Sequence, residues 1–87
     1  MSPETWYRLD NWNNKLTAVT VVRVSESSVW LLDFPNQHYA INPYANGTSP
    51  AFFRSKEPAL AILRERLDVA ELKLETIRRE LAAARAL

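Results

Sequence analysis

The C-terminal third of the chain most constrains its fold, because it has the pattern of one uninterrupted helix. From Leu60 onward the sequence contains neither glycine nor proline. Apolar residues recur there in steps of three and four, which is the spacing of one helix face. They occupy heptad positions a and d: Leu60, Leu63, Leu67, Ala70, Leu74, Ile77, Leu81 and Ala84. We therefore predict a helix over residues 55–87, with Ser55 as its N-cap and Pro58 in its first turn.

This helix is too long for the rest of the chain to cover. About 30 helical residues extend roughly 45 Å, whereas a sheet of four or five short strands measures about 20 Å. A second, shorter apolar stripe, formed by Ile62, Val69 and Leu72, lies on nearly the opposite side of the helix. We expect this shorter stripe to pack on the sheet, and the a/d stripe to form a coiled-coil homodimer.

The predicted dimer interface consists of the large a and d residues: Leu60, Leu63, Leu67, Leu74, Ile77 and Leu81. The alternative is a monomer whose C-terminal turns fray. Charges beside the stripe leave the orientation open, because a parallel pair would contain two attractions and one repulsion. In such a pair Arg66 would attract Glu71, and Glu80 would attract Arg85. Lys73 would repel Arg78.

Residues 1–54 have the composition of strands and hairpins, with turn residues about every eight positions. We predict strands over residues 5–9, 16–24, 29–34 and 38–41, with turns at DNWNNK, SESS and PNQ. Asn46-Gly47 predicts a type I′ turn, and Pro43 and Pro50 restrict any strand beside it to a short or edge strand. The predicted fold is α+β: a single domain over residues 1–87, in which an antiparallel β-meander of four to five short strands precedes one long C-terminal α-helix.

The third predicted strand, VWLLDF, is apolar on both of its faces. Antiparallel strands with one wet face normally alternate between apolar and polar residues. Both faces of the sheet centre should therefore be covered. Either the sheet curls into a small barrel, or a second molecule provides the cover.

Composition excludes several classes of protein. The chain is 47% apolar and 24% charged, with a net charge of +1 and no cysteine. These values are typical of a globular protein and exclude disulfide scaffolds and thiolate metal sites. The N-terminus lacks the pattern of a signal peptide, and no apolar run approaches the roughly 18 residues needed to cross a bilayer. We expect a soluble cytoplasmic protein without membrane association.

The sequence contains no recognisable catalytic pattern. His38 is the only histidine, and Gly47, the only glycine, cannot form a phosphate-binding loop by itself. The helix acids alternate with basic residues, which is typical of a solvated face. We predict no enzymatic activity, no metal site and no cofactor.

Aromatic residues are the most suggestive feature of the first 54 positions. Most should be buried, because a small domain needs large side chains in its core. Trp12, which lies between asparagines in a turn, is expected to be exposed and to anchor a protein partner. The predicted partner-binding residues are Trp12, Tyr44 and Arg54. Nucleic-acid binding through sheet aromatics is an alternative that the few, balanced arginines do not favour.

The segment FFRSKEPALAIL places an aromatic pair, a serine and an acidic helix start after a VW strand. In this it resembles small uncharacterised proteins encoded by phages and prophages, whose pattern is aromatic–Thr/Ser–x–Glu–Ala. Here Pro58 stands between Glu57 and Ala59. The resemblance implies an accessory protein, such as an anti-CRISPR, that binds and inhibits a host protein in the host cytoplasm. A structural component of a larger assembly is a further alternative.

Overall fold

The computed structural model describes residues 2–87, in which five antiparallel strands precede one long helix. The strands are β1 (Glu4–Asp10), β2 (Lys15–Val24), β3 (Ser28–Leu31), β4 (Phe34–Ala40) and β5 (Ala51–Phe53), and the helix is α1 (Glu57–Arg85). Strands β1 to β4 pair in sequence order, and β5 returns to pair with β1, giving the order β4-β3-β2-β1-β5. The predicted α+β architecture is confirmed.

The predicted turn at PNQ is wrong, because these residues lie inside β4. The chain turns earlier, at Leu32 and Asp33, and so divides the predicted third strand. Pro35 has no N–H with which to pair a neighbouring strand, but β4 is an edge strand, where proline is tolerated.

The sheet curls around a first cluster of buried side chains, which we call the inner core. The backbone N–H of Phe52 in β5 donates a 2.9 Å hydrogen bond to the carbonyl of Ile41, just after β4. This bond brings the two outer strands of the sheet together. The inner core consists of Trp6, Val21, Val29, Leu31 and Phe52. Of the two arrangements expected from VWLLDF, the curled sheet is the one observed.

A second cluster, the outer core, lies on the convex face beneath the start of the helix. It consists of Leu9, Ala45, Ala51, Phe53 and Ala59. Successive side chains of a strand alternate between faces, so Phe52 points into the inner core while its neighbours Ala51 and Phe53 reach the outer core. Both faces of β5 are thereby buried.

A β-bulge in β2 preserves this division between the two faces. The register shifts between Val21 and Arg23, after which Arg23 pairs with Trp30 and Val24 pairs with Val29. Val24 consequently packs on the inner core, and the Arg23–Trp30 pair belongs to the convex face. The extra residue thus allows Val21 and Val24, which both belong to β2, to face the inner core.

The helix begins differently from the prediction. Ser55 is not the N-cap; that position is held by Lys56, whose backbone is already helical (φ −72°, ψ −30°) and which makes no side-chain cap hydrogen bond. The Lys56 carbonyl accepts a 2.9 Å hydrogen bond from the N–H of Leu60. Pro58 lacks an N–H, so one of the donors that a cap would satisfy is already missing.

The predicted type I′ turn at Asn46-Gly47 is also wrong. Gly47 has a positive φ of 70°, but among residues 2–87 the other positive values belong to Asn14, Asn42 and Ala45. Asn42 organises this loop instead. Its side-chain amide donates to the carbonyls of Asn46 (3.0 Å) and Ser49 (3.1 Å), and its side-chain oxygen accepts from the Asn46 N–H (3.1 Å).

Candidate protein-interaction surfaces

The helix extends far beyond the sheet, and this extension is the largest candidate surface. Contact with the rest of the chain is confined to the first turns, because every residue from Leu67 to Leu87 is exposed. The molecule measures 65 × 21 × 20 Å. We call residues 67–85 the overhang.

The overhang carries a continuous row of large apolar side chains in water. At the a and d positions, Leu74 is 51% exposed, Ile77 62% and Leu81 48%. Burial of a side chain of this size contributes on the order of 1.5–3 kcal/mol. These side chains therefore form an apolar surface that no other part of the described chain covers.

The predicted packing of the whole shorter stripe on the sheet is wrong. Of the shorter stripe, only Ile62 packs on the outer core, whereas Val69 and Leu72 are exposed. Leu63, assigned to the a/d stripe, packs on the outer core instead, and Leu60 is half exposed. The sheet contacts only one side of the first helical turns, and this side includes residues of both stripes. The sheet ends before Leu67, so neither stripe packs on it over its full length.

Arg66 fixes the direction in which the helix leaves the sheet. Its guanidinium donates 2.8 Å hydrogen bonds to the side-chain oxygens of Asn14 and Asn11, and a 3.2 Å bond to the carbonyl of Ala45. Asn11 and Asn14 belong to the β1–β2 turn, and Ala45 to the loop between β4 and β5. One helical side chain thereby binds both loops at this end of the sheet.

Asn14, one of the two asparagines that accept from Arg66, also has a backbone conformation that favours asparagine. Asn14 has a φ of 59°, a left-handed conformation that asparagine tolerates better than most residues. Its N–H donates a 2.9 Å bond to the carbonyl of Asp10, which closes the turn. Its side chain remains available as the acceptor for Arg66.

A groove of about 410 Å³ lies in the corner between the helix and the loop after β4. The loop side is formed by Tyr44, Ala45 and Asn46. The helix side presents Ile62, Val69 and Ala70 between the charged side chains of Glu65, Arg66 and Lys73. An apolar floor with a charged rim is the usual composition of a protein-binding surface.

Two of the three predicted partner-binding residues lie on loops that Arg66 ties together. Trp12, in the β1–β2 turn, and Tyr44, in the β4–β5 loop, are each 80% exposed. Large aromatic side chains at such positions are typical anchors for protein partners.

The third predicted residue, Arg54, lies near the opposite end of β1. It forms a 3.1 Å ion pair with Glu4, and its guanidinium lies 4.6 Å from the centre of the Trp6 ring. The indole N–H of Trp6 donates to the same Glu4 oxygen at 2.9 Å. Arg54 is thus engaged in an intramolecular contact that covers the edge of the inner core.

A row of polar and aromatic side chains crosses three strands on the convex face. Arg23 lies 4.5 Å from the centre of the Trp30 ring, and the His38 ring lies 5.7 Å from it on the other side. Arg23 and His38 each pair with Trp30 across the sheet. Trp6, Phe52 and Phe53, in contrast, are buried in the two cores.

Comparison with protein-family models, curated proteins and solved structures finds no match. Within residues 2–87, no three side chains of the metal-binding types lie together in a way that could hold an ion. The helix of this same region is not apolar enough to span a bilayer.

Proposed function

We propose that this protein is a non-enzymatic protein–protein interaction module that forms a homodimer through the helix overhang. One observation carries the proposal: Leu74, Ile77 and Leu81 are each about half exposed, on a single face, beyond the reach of the chain's own sheet. In proteins, most of the stability of a helix comes from the packing of its apolar face. A second copy provides the missing apolar surface.

The direct test is the mass of the protein in solution. We expect sedimentation equilibrium or light scattering at tens of micromolar to give twice the 10.0 kDa mass of one chain. Leu74→Lys should give a monomer, because a charge replaces an a-position side chain. Dilution of the wild-type protein should also lower its helical circular dichroism as overhangs separate and fray.

Leu72→Lys is the matched control. Leu72 is 66% exposed and lies on the opposite side of the overhang from the a/d row. Both substitutions exchange an exposed leucine for a lysine, and the two residues have similar helix propensities. A dimer that tolerates L72K but not L74K supports the proposal, and a 10 kDa wild-type particle at these concentrations contradicts it.

The end of the sheet that carries the β1–β2 turn and the β4–β5 loop gives the module a second surface, which we assign to a partner of different sequence. Trp12 and Tyr44 project from loops held by Arg66, so their backbones are positioned before binding. Preorganised aromatic anchors bind with a smaller entropy loss than mobile ones. Following the resemblance to phage-encoded accessory proteins, the proposed partner is a host protein whose activity is inhibited on binding.

The heterologous partner can be sought by affinity capture from host lysate, followed by titration with the purified candidate. We expect Trp12→Ala and Tyr44→Ala to weaken binding at least tenfold, the effect of truncating a hot-spot residue. L72K serves again as a surface control. Equal affinity of both aromatic variants and the wild-type protein would exclude this end of the sheet as the surface.

Nucleic-acid binding is a second candidate function, which the Arg23–Trp30–His38 row favours. An aromatic ring beside an arginine on a sheet surface can stack a base and contact a phosphate. Electrophoretic mobility shifts at several salt concentrations test this function. Binding that weakens steeply with salt and is lost in Trp30→Ala would support it.

A further inference from the structure

We infer that the two overhangs pair antiparallel, with Leu74 of one chain opposite Ile77 of the other. The inference rests on the proposed homodimer and adds its orientation and register. Three independent features of the helix favour this arrangement: the volumes of its a and d side chains, the charges beside them, and the position of the sheet.

The a and d residues have complementary volumes only in the antiparallel arrangement. There, each a residue faces a d residue of the partner. The layers are Leu67 with Ala84, Ala70 with Leu81, and Leu74 with Ile77, each formed twice by symmetry. Every alanine then meets a leucine, which gives layers of nearly even volume.

In a parallel pair, by contrast, identical residues meet. Ala70 would face the partner's Ala70, and Ala84 the partner's Ala84. Two of the six layers would then contain only methyl groups between helices held apart by the leucine layers. Such underfilled layers lose both contacts and buried area.

The charges beside the stripe give the same result. Reversing one helix exchanges its flanks, so that residues at g face g of the partner and residues at e face e. With Leu74 opposite Ile77, Lys73 faces the partner's Glu80, and Glu71 faces the partner's Arg78. Symmetry makes four attractions, all in the centre of the seam. The like pair of Arg64 with the partner's Arg85 falls at each end, where solvent screens it.

A parallel pair keeps only one full attraction, between Glu80 and the partner's Arg85. Lys73 would then face the partner's Arg78 in the middle of the seam. The expected attraction between Arg66 and the partner's Glu71 is weakened, because the Arg66 guanidinium already donates to Asn11, Asn14 and Ala45.

The position of the sheet adds a steric argument. Leu63 lies on the same d line of the helix as Ala70 and Ile77, and it packs against the outer core of its own chain. The sheet therefore lies over the start of the seam. Paired helices are roughly 8–10 Å apart, whereas the molecule is 21 and 20 Å across its shorter axes. A parallel pair would force two sheets together at one end, and an antiparallel pair places them at opposite ends.

Engineered disulfides test the orientation directly, because the chain has no cysteine of its own. Ala70→Cys and Leu81→Cys variants would be mixed, oxidised and analysed by mass spectrometry of the linked peptides. We expect 70–81 bridges, since facing a and d positions fall near the Cα separation a disulfide requires. Leu72→Cys, which lies off the seam, is the control and should not form a bridge.

The possible results separate the two proposals. Bridges of the 70–70 and 81–81 type would overturn the antiparallel orientation and leave the homodimer intact. A dimer that forms no bridge at all would overturn the register. A wild-type monomer would remove the proposed homodimer and, with it, this inference.

Charge reversal provides a second test that needs no cysteine. Lys73→Glu would oppose the partner's Glu80 in the antiparallel pair and should raise the dimer Kd roughly tenfold. In a parallel pair the same change would remove the repulsion with Arg78 and lower the Kd. The double variant Lys73→Glu/Glu80→Lys restores the antiparallel attraction, and its Kd should return to within about twofold of the wild-type value. A lower Kd for K73E, or no change in Kd, would overturn the inference.

Discussion

Nη2 of Arg66 lies 2.8 Å from Oδ1 of Asn11, across 55 positions of sequence. The same guanidinium also contacts Asn14 and the carbonyl of Ala45, so three segments of the chain meet at one side chain. Arg66 is also the last residue of the helix that is partly buried. The contact therefore marks the point at which the helix parts from the sheet and holds it in one direction.

Arg66→Ala should lower the free energy of unfolding by about 1–3 kcal/mol, because hydrogen bonds from a charged donor are stronger than neutral ones. Arg64→Ala, at an exposed position two residues away, should change it by no more than about 0.5 kcal/mol. Urea denaturation at one fixed protein concentration measures both. Equal stability of the two variants would show that the Arg66 contact does not hold the helix.

Phe52→Ala should lower the free energy of unfolding by about 3–5 kcal/mol, because it opens a cavity in the inner core. Phe34, which is 54% exposed in β4, provides the control. Phe34→Ala should have a much smaller effect, on the order of 0.5 kcal/mol. Thermal denaturation compares them, and Phe52→Leu serves as a milder variant should F52A fail to fold. If F34A proved the more damaging change, the assignment of the inner core would be incorrect.

Ala59, in the first turn of the helix, is fully buried in the outer core. A larger side chain at this position should lower the stability of the protein. We expect Ala59→Leu to destabilise the protein by about 1–3 kcal/mol through overpacking. Ala61 is exposed two residues later, and Ala61→Leu should be nearly neutral, since leucine is a good helix former. Guanidinium denaturation of the pair tests how closely the helix start approaches the sheet.

Substitution of Gly47 tests the effect of backbone conformation on stability without a steric clash. Its φ is 70°, and a Cβ at this position would meet no atom within 4 Å. Gly47→Ala should therefore destabilise the loop by about 1 kcal/mol through backbone strain alone. Gly47→Asn should be milder, because asparagine tolerates this conformation. Differential scanning calorimetry of the three proteins provides the comparison.

The long helix and the strand-rich first half could be predicted because their signals are local and repeated. The heptad of leucines, the absence of glycine and proline after Leu60, and the alternation of turn residues with β-branched residues all act over a few positions. The turn errors have a tertiary cause. PNQ has turn composition, but Pro35 is accommodated at a sheet edge, and edge position depends on the strand order.

The side of the helix that meets the sheet could not be predicted from the sequence. Ile62 and Leu63 belong to different stripes, yet both pack on the outer core, because the contact direction depends on where β1 and β5 lie. The role of Arg66 was missed for the same reason. The asparagines of DNWNNK indicate left-handed turn conformations, but nothing local identifies the arginine they accept from. The exposure of Trp12 could be predicted, since exposure follows from a position in a polar loop.

The hydrogen bond from Phe52 to Ile41 has a consequence for aggregation. The outer strands of an open sheet expose unpaired backbone groups, which can recruit strands from other molecules. Here β4 contains Pro35, which has no N–H to donate, and β5 is only three residues long, with the Phe52 N–H already paired. Extension of the sheet into fibrils by strand addition is therefore disfavoured.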